Sequence, residues 1–295
     1  MKQNTPFSPE AVAALAREDV ARALAEDVGA GDLTAGLIDP AQQARARILA
    51  RESAVICGAP WVEAAVHALD PQATLTWHVP EGGRAEANQV VLEMRGRAQA
   101  LLTAERTALN FLQLLSGVAT KTATYAEAVR GTQAQVVDTR KTVPGLRLAQ
   151  KYAVRTGGGV NHRIGLYDAV LIKENHIAAA GGIAPVLRRA AEVAAQASFV
   201  QIEVETLAQL KEALEAGAEM ILLDNMDLPM LRAAVALNAE LGARRPQGPA
   251  ILENSGGVTL EGLRALAETG VDRISIGGLT KDVKAVDFSM RFEAV

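Results

Sequence analysis

Six short apolar runs in the second half of the chain each end in residues whose types could do chemistry. Residues 136–137 lead into Asp138-Thr139-Arg140-Lys141, and 169–172 into Lys173-Glu174-Asn175-His176. Residues 199–204 carry Glu203, with Glu205 just beyond, and 220–223 run into Asp224-Asn225. Residues 250–252 are followed by Glu253-Asn254-Ser255-Gly256-Gly257, and 274–276 by Gly277-Gly278. One polar strand end is ordinary, whereas six in succession point to a shared rim. In parallel α/β architectures ligand groups collect where strands end and loops begin.

The charges say what such a rim would hold. Between Asp138 and Lys173 lie Arg140, Lys141, Arg147, Lys151, Arg155, Arg163 and Lys173, opposed only by Asp138 and Asp168, a net of about +5. The chain as a whole is at −4, so the remainder carries about −9. A cationic segment in an acidic chain reads either as solvated surface or as a holder of a small, highly charged anion. Guanidinium groups bind carboxylates and phosphates through paired hydrogen bonds, so several arginines suit a ligand with more than one such group. Lys173, directly after Leu171-Ile172, must meet an anion or reach solvent along its own stem. Glu203 and Asp224 either pair with these cations structurally or hold sugar hydroxyls or a magnesium ion bridging substrate phosphates. Ser255-Gly256-Gly257 and Gly277-Gly278 precede predicted helices, where backbone N–H groups can approach a phosphate. Gly157-Gly158-Gly159 is expected to be a flexible loop carrying Asn161, His162 and Arg163. No Ser-His-Asp arrangement, zinc-spaced histidines or Walker-type loop is evident.

Positioning these residues requires strands buried on both faces, which is how parallel strands covered by helices look. Five or six βα repeats in about 150 residues predict an open, incomplete α/β barrel, with a doubly wound sheet as the competitor. The N-terminal third reads differently. A helix capped by Ser8 runs to Gly29, and Ala44, Ala46, Ile48 and Ala50 alternate with polar or exposed positions as in a half-buried strand. Residues 74–79 and 90–95 are further strands and 60–69 a helix, giving a mixed α+β domain. A long helix follows from Ala98, with a break predicted near Ser116-Gly117. Its Thr103, Arg106, Asn110, Gln113 and Gly117 form one non-aliphatic face, directed at water, a site or a partner chain. The half-exposed pattern of 286–293 suits a strand returning to the N-terminal sheet.

Length and composition bound the function classes. The chain has 295 residues, 49% of them hydrophobic, enough for a full core in about two domains. Only 3% are aromatic, and the net charge is negative, which argues against a nucleic-acid binder. The single cysteine, Cys57, excludes internal disulfides and fits a reducing compartment. Residues 1–6 are polar and lack the apolar core of a signal peptide, and the apolar run at 177–187 is too short to span a bilayer. A cytoplasmic location without membrane contact is expected.

The block Asp138-Thr139-Arg140-Lys141-Thr142-Val143-Pro144-Gly145-Leu146-Arg147 closely resembles the signature of the quinolinate phosphoribosyltransferase family. The likeness continues through Lys151-Tyr152-Ala153-Val154-Arg155, Gly157-Gly158-Gly159-Val160-Asn161-His162-Arg163 and Leu171-Ile172-Lys173-Glu174-Asn175-His176. It takes in Glu203-Val204-Glu205-Thr206, Leu223-Asp224-Asn225-Met226, Ser255-Gly256-Gly257 and Gly277-Gly278-Leu279-Thr280. Upstream, Gly31-Asp32-Leu33-Thr34 and Glu105-Arg106-Thr107-Ala108-Leu109-Asn110 also match, so the resemblance spans nearly the whole chain.

The resemblance implies an N-terminal α+β sandwich domain (1–116), an open barrel (117–281) and a C-terminal strand (282–295) returning to the first domain. It implies a homodimer, with further assembly of dimers left open, in which Arg106 reaches the neighbouring chain's site. Arg140, Lys141, His162 and Arg163 would line the pocket for quinolinate. Lys173, Glu203 and Asp224 would serve phosphoribosyl pyrophosphate (PRPP) and its Mg2+, held by the two acids directly or indirectly. Ser255, Gly256, Gly257, Gly277 and Gly278 would hold the 5-phosphate. Lys141, Lys173, Glu203 and Asp224 are the expected catalytic set, with Lys141 as the proton donor. Leu114 departs from the family pattern, where arginine is common, as do Asn254 and Gly278, where alanine is common. Two rivals remain open: a paralogue with another anionic acceptor, and a Schiff-base lyase using Lys173.

Overall fold

The computed structural model describes residues 7–294. Residues 1–6, read above as lacking a leader's apolar core, lie outside the described residues. The chain divides into two compact units, one from Met1–Ala123, Val143–Gly158 and Thr280–Val295, the other from Thr124–Thr142 and Gly159–Leu279. No helix among the described residues is long and apolar enough to cross a membrane.

The first unit opens with helix α1 (Pro9–Asp27), whose Ser8 cap accepts the Ala11 N–H at 3.3 Å. Strand β1 (Gln43–Ala50) buries Ala44, Ala46, Ile48 and Ala50. Its outward Arg45 and Arg47 pair with Glu93 and Glu293 on the flanking strands. There follow β2 (Ala54–Val55), helix α2 (Ala59–Leu69), β3 (Thr74–Trp77), β4 (Arg84–Ala85) and β5 (Val90–Arg97). The C-terminal strand Phe288–Ala294 is antiparallel to β1, with Ile48 opposite Met290, and the sheet continues through β5 to β3. The alternation at 286–293 therefore marks an edge strand of the small sheet.

Helix α3 (Ala98–Ala128) runs without the break predicted at Ser116-Gly117. Serine and glycine are weak helix formers, but both serve packing here. The Ser116 hydroxyl accepts from Cys57 N at 3.0 Å and donates to Cys57 O at 3.1 Å. Gly117 lies so close to the Lys284 carbonyl that a Cβ would collide with it. Helix α4 (Arg147–Thr156) ends at Gly157, which is pressed in the same way against Ala119 and Thr122 of α3. The start of the triple glycine is thus a helix stop and a close contact, where the sequence suggested a flexible loop.

The second unit holds six parallel strands: β6 (Gln135–Val137), β7 (Val170–Ile172), β8 (Val200–Val204), β9 (Met220–Asp224), β10 (Ile251–Ser255) and β11 (Arg273–Ser275). Helices α5 (Glu174–Ala180), α6 (Ile183–Val193), α7 (Leu207–Glu215), α8 (Leu228–Gly242) and α9 (Leu260–Ala267) connect them. The order is β6-β11-β10-β9-β8-β7. Winding proceeds in one direction from β7 to β11, and β6 then pairs with β11 rather than β7. A doubly wound sheet would reverse direction part-way, so this is an open barrel with its gap between β6 and β7. Val160 partly covers the free edge of β6, donating to Val136 O at 2.8 Å and accepting from Asp138 N at 3.1 Å. Ile202, Ile221, Leu223 and Ile274 are fully buried, each contributing about 1.5–3 kcal/mol by leaving water.

Candidate active site at the carboxyl ends of the parallel strands

The strand ends surround a cavity of about 400 Å3, and Arg140, Lys141, His162, Arg163, Lys173, Glu203, Asp224 and Ser255 all form part of its wall. Leu171 and Leu222 supply apolar lining, with Thr139, Glu253 and Ser275 beside them. A hollow of about 500 Å3 in the first unit, between α1 and α2, lacks any such convergence of cations and strand-end acids.

One side of the cavity is built by Asp138. Fully buried at the end of β6, its carboxylate accepts from Asn161 Nδ2 at 2.6 Å and from His162 N at 2.8 Å. That tie holds the segment bearing Arg163 against the strand that delivers Arg140. Asp168 fixes the far side of the loop, accepting from Ile164 N and Gly165 N at 2.8 Å each. The buried Nε of Arg140 has no hydrogen-bond acceptor. Burial first, and then the neighbouring Arg140, push the Arg163 guanidinium below its ordinary pKa, with Asp168 opposing. Two guanidinium groups held together without full neutralisation form a ready site for an anion bearing paired oxygens.

His162 lines the same cavity and is held there through both ring nitrogens. Its Nδ1 accepts from Arg163 N at 2.8 Å, so the Nε2–H donates to Gln201 Oε1 at 2.8 Å. The ring meets Phe199 edge-on, with centroids 5.2 Å apart. These contacts fix the ring orientation within the cavity wall.

Across the cavity, Lys173 Nζ pairs with Glu203 Oε2 at 2.8 Å. Asp224 stands on the next strand. Burial, and then the Glu203 charge, raise its pKa, while Lys173, Asn225 and Lys141 pull it down. Among the described residues no group of three or more His, Cys, Asp or Glu side chains is placed to hold a metal. Two neighbouring carboxylates fit a magnesium ion whose other ligands are water and phosphate oxygens, which is how that ion usually binds.

Glycine turns follow two of these strands. Ser255 ends β10, and Gly256 and Gly257 follow with φ of +113° and +54°, a backbone that glycine adopts freely. Thr259 then caps α9, accepting from Gly262 N at 3.4 Å. Gly277 lies along the Lys141 side chain, where an added Cβ would come within 3.0 Å of Lys141 Cδ. Gly278 opens the short helix Gly278–Lys281. Arg106 is placed elsewhere, exposed on α3 in the first unit and outside the cavity lining. Leu114 lines a separate hollow of about 180 Å3 with Asn110 and Leu146, and Asn254 is buried on β10.

Three residues at or beside this site are given no role of their own by the sequence reading, although Glu253 and Asn225 stand among its polar strand ends. Gln201 and Glu253 are fully buried, and Glu253 lies 3.2 Å from Arg273 Nε and 3.5 Å from His162 Nε2. A glutamine inside the apolar run 199–204 is the available clue to the first. Asn225 takes a left-handed backbone with φ of +53°.

A model of the quinolinate phosphoribosyl transferase N-terminal domain matches residues 32–116, and one of the C-terminal domain matches 118–291. The chain belongs to the quinolinate phosphoribosyl transferase family. Among relatives in this family, a probable carboxylating nicotinate-nucleotide pyrophosphorylase of Bacillus subtilis is 42% identical over 90% of this chain and 89% of its own. The carboxylating nicotinate-nucleotide pyrophosphorylase of Mycobacterium leprae is also 42% identical, over 93% and 96%. A solved nicotinate-nucleotide pyrophosphorylase from Francisella tularensis superposes with a TM-score of 0.89 at 40% identity, covering 95% of this chain and 97% of that one.

Proposed function

We propose that this chain transfers the phosphoribosyl group of PRPP to quinolinate with loss of carbon dioxide, giving nicotinate mononucleotide and pyrophosphate for NAD biosynthesis. The supporting observation is a single cavity with a guanidinium wall at Arg140 and Arg163 and an acid wall at Glu203 and Asp224, with Ser255 beside it leading into the Gly256-Gly257 turn. The first wall suits a pyridine dicarboxylate, and the second a sugar carrying phosphates.

Arg140 and Arg163 hold the carboxylates so that the ring nitrogen faces C1 of the ribose. A bond forms from nitrogen to C1 as the bond from C1 to pyrophosphate breaks, through an oxocarbenium-like transition state. Lys173 and the other fixed cations stabilise the departing charge. Magnesium, held by Glu203 and Asp224 directly or through water, would neutralise pyrophosphate when bound. The alkylated nitrogen is now cationic, so the bond to the 2-carboxylate breaks with its electron pair left on C2, beside that cation. Lys141 supplies the proton that C2 then takes up.

Each active unit is a homodimer in which Arg106 of one chain completes the site of the other, and the protein works in the cytoplasm. The lyase alternative is weakened at Lys173, whose Nζ is engaged by Glu203 at 2.8 Å in a cavity that it shares with Arg140 and Arg163. Product identity tests the acceptor. With PRPP and magnesium, quinolinate should give nicotinate mononucleotide, nicotinate should give far less, and EDTA should abolish both. Equal use of nicotinate would favour a paralogue, and turnover in EDTA would remove the metal.

A further inference from the structure

Asn225 follows Asp224 at the end of β9 with a left-handed backbone, φ +53°, which asparagine tolerates better than most residues with a side chain. Its Nδ2–H donates to Asp224 Oδ2 at 2.8 Å. Its main-chain N–H donates to Ser255 O at 3.0 Å. On the other side, its amide oxygen fills the space that a Cβ on Gly256 would need. The parallel register sets Asp224 opposite Ser255. One side chain therefore touches the carboxylate of one strand and the glycine turn that follows the next, while Asn225 itself is not part of the cavity lining.

We infer that Asn225 is a positioning residue for the phosphoribosyl donor, setting the Asp224 carboxylate and the Gly256-Gly257 turn at a fixed separation. The inference rests on the function proposed above. A phosphoribosyl donor offers hydroxyls and a diphosphate on one side of the sugar and a 5-phosphate on the other. Gripping both at once needs an acid and a phosphate turn that do not drift relative to each other. Donation from Nδ2 to Oδ2 fixes the plane of the carboxylate and leaves Oδ1 turned toward a hydroxyl or a hydrated cation. The amide oxygen against Gly256 keeps the turn from closing over the strand end. The left-handed backbone is what lets one short side chain reach both neighbours.

Glycine at 225 retains the backbone conformation while deleting both contacts, so it separates positioning from folding. Aspartate at 225 keeps shape and backbone tolerance but replaces the donor with an oxygen. Calorimetric titrations with PRPP in magnesium, and separately with quinolinate, read the two halves of the site. Asn225→Gly and Asn225→Asp should each bind PRPP about tenfold more weakly, as for loss of one hydrogen bond to a charged group, with quinolinate affinity within about twofold of the parent. In an Asp224→Asn background the added effect of Asn225→Gly should shrink to about twofold or less. PRPP affinity within about twofold of the parent in either variant would overturn the inference, as would equal weakening of both ligands. Failure of the parent protein itself to bind PRPP would instead overturn the proposed function, and this inference with it.

Discussion

Arg140 shows how much of the site a single residue type makes legible. Its charge and its place in a basic segment mark it in the sequence, and the structure puts it beside Arg163 with its Nε lacking an acceptor. A lysine there would keep the charge and lose the planar fork. Arg140→Lys is expected to lower kcat/KM for quinolinate by about tenfold or more, measured by steady-state kinetics. Near-parental kinetics would remove Arg140 from the carboxylate pocket. His162 illustrates the limit of such reading. Residue type alone cannot say that both ring nitrogens are already engaged, because the partners, Gln201 and the Arg163 main chain, are set by tertiary structure. Asn225 is harder still, since a left-handed backbone at an asparagine leaves no pattern in a sequence.

At the level of elements, periodicity finds the strands because burial imposes it. The alternation at β1 and the continuous apolar run of β9 both follow from which faces are covered. The predicted break in α3 fails for the same physical reason in reverse. Helix propensity is worth about 1 kcal/mol at a glycine, and packing outweighs it. Gly117 sits in an ordinary helix because the Lys284 carbonyl leaves no room for a Cβ. Gly117→Ala should therefore destabilise the fold by about 1–3 kcal/mol despite alanine's better helix propensity, read as a lower midpoint in urea unfolding. A variant as stable as the parent, or more so, would show that the contact relaxes at little cost.

For the whole molecule, the polar residues that end six successive apolar runs are enough to place a common rim, because parallel strands bring their carboxyl ends to one side. Closure of the sheet is invisible to periodicity, and only the pairing of β6 with β11 distinguishes an open barrel from a doubly wound sheet. The proposed sharing of sites between chains belongs to this scale. Arg106→Ala and Arg163→Ala homodimers should each be inactive, and mixed dimers should regain up to about half of the parental rate per dimer, because one of two sites is then intact. Mixed dimers confirmed by mass and without activity would refute the shared arrangement. The central claim is most directly tested with quinolinate labelled in its 2-carboxylate, incubated with PRPP and magnesium. Labelled carbon dioxide, pyrophosphate and nicotinate mononucleotide should appear in equal amounts and only when PRPP is present. Pyrophosphate released without carbon dioxide, or label retained in the nucleotide, would contradict the account.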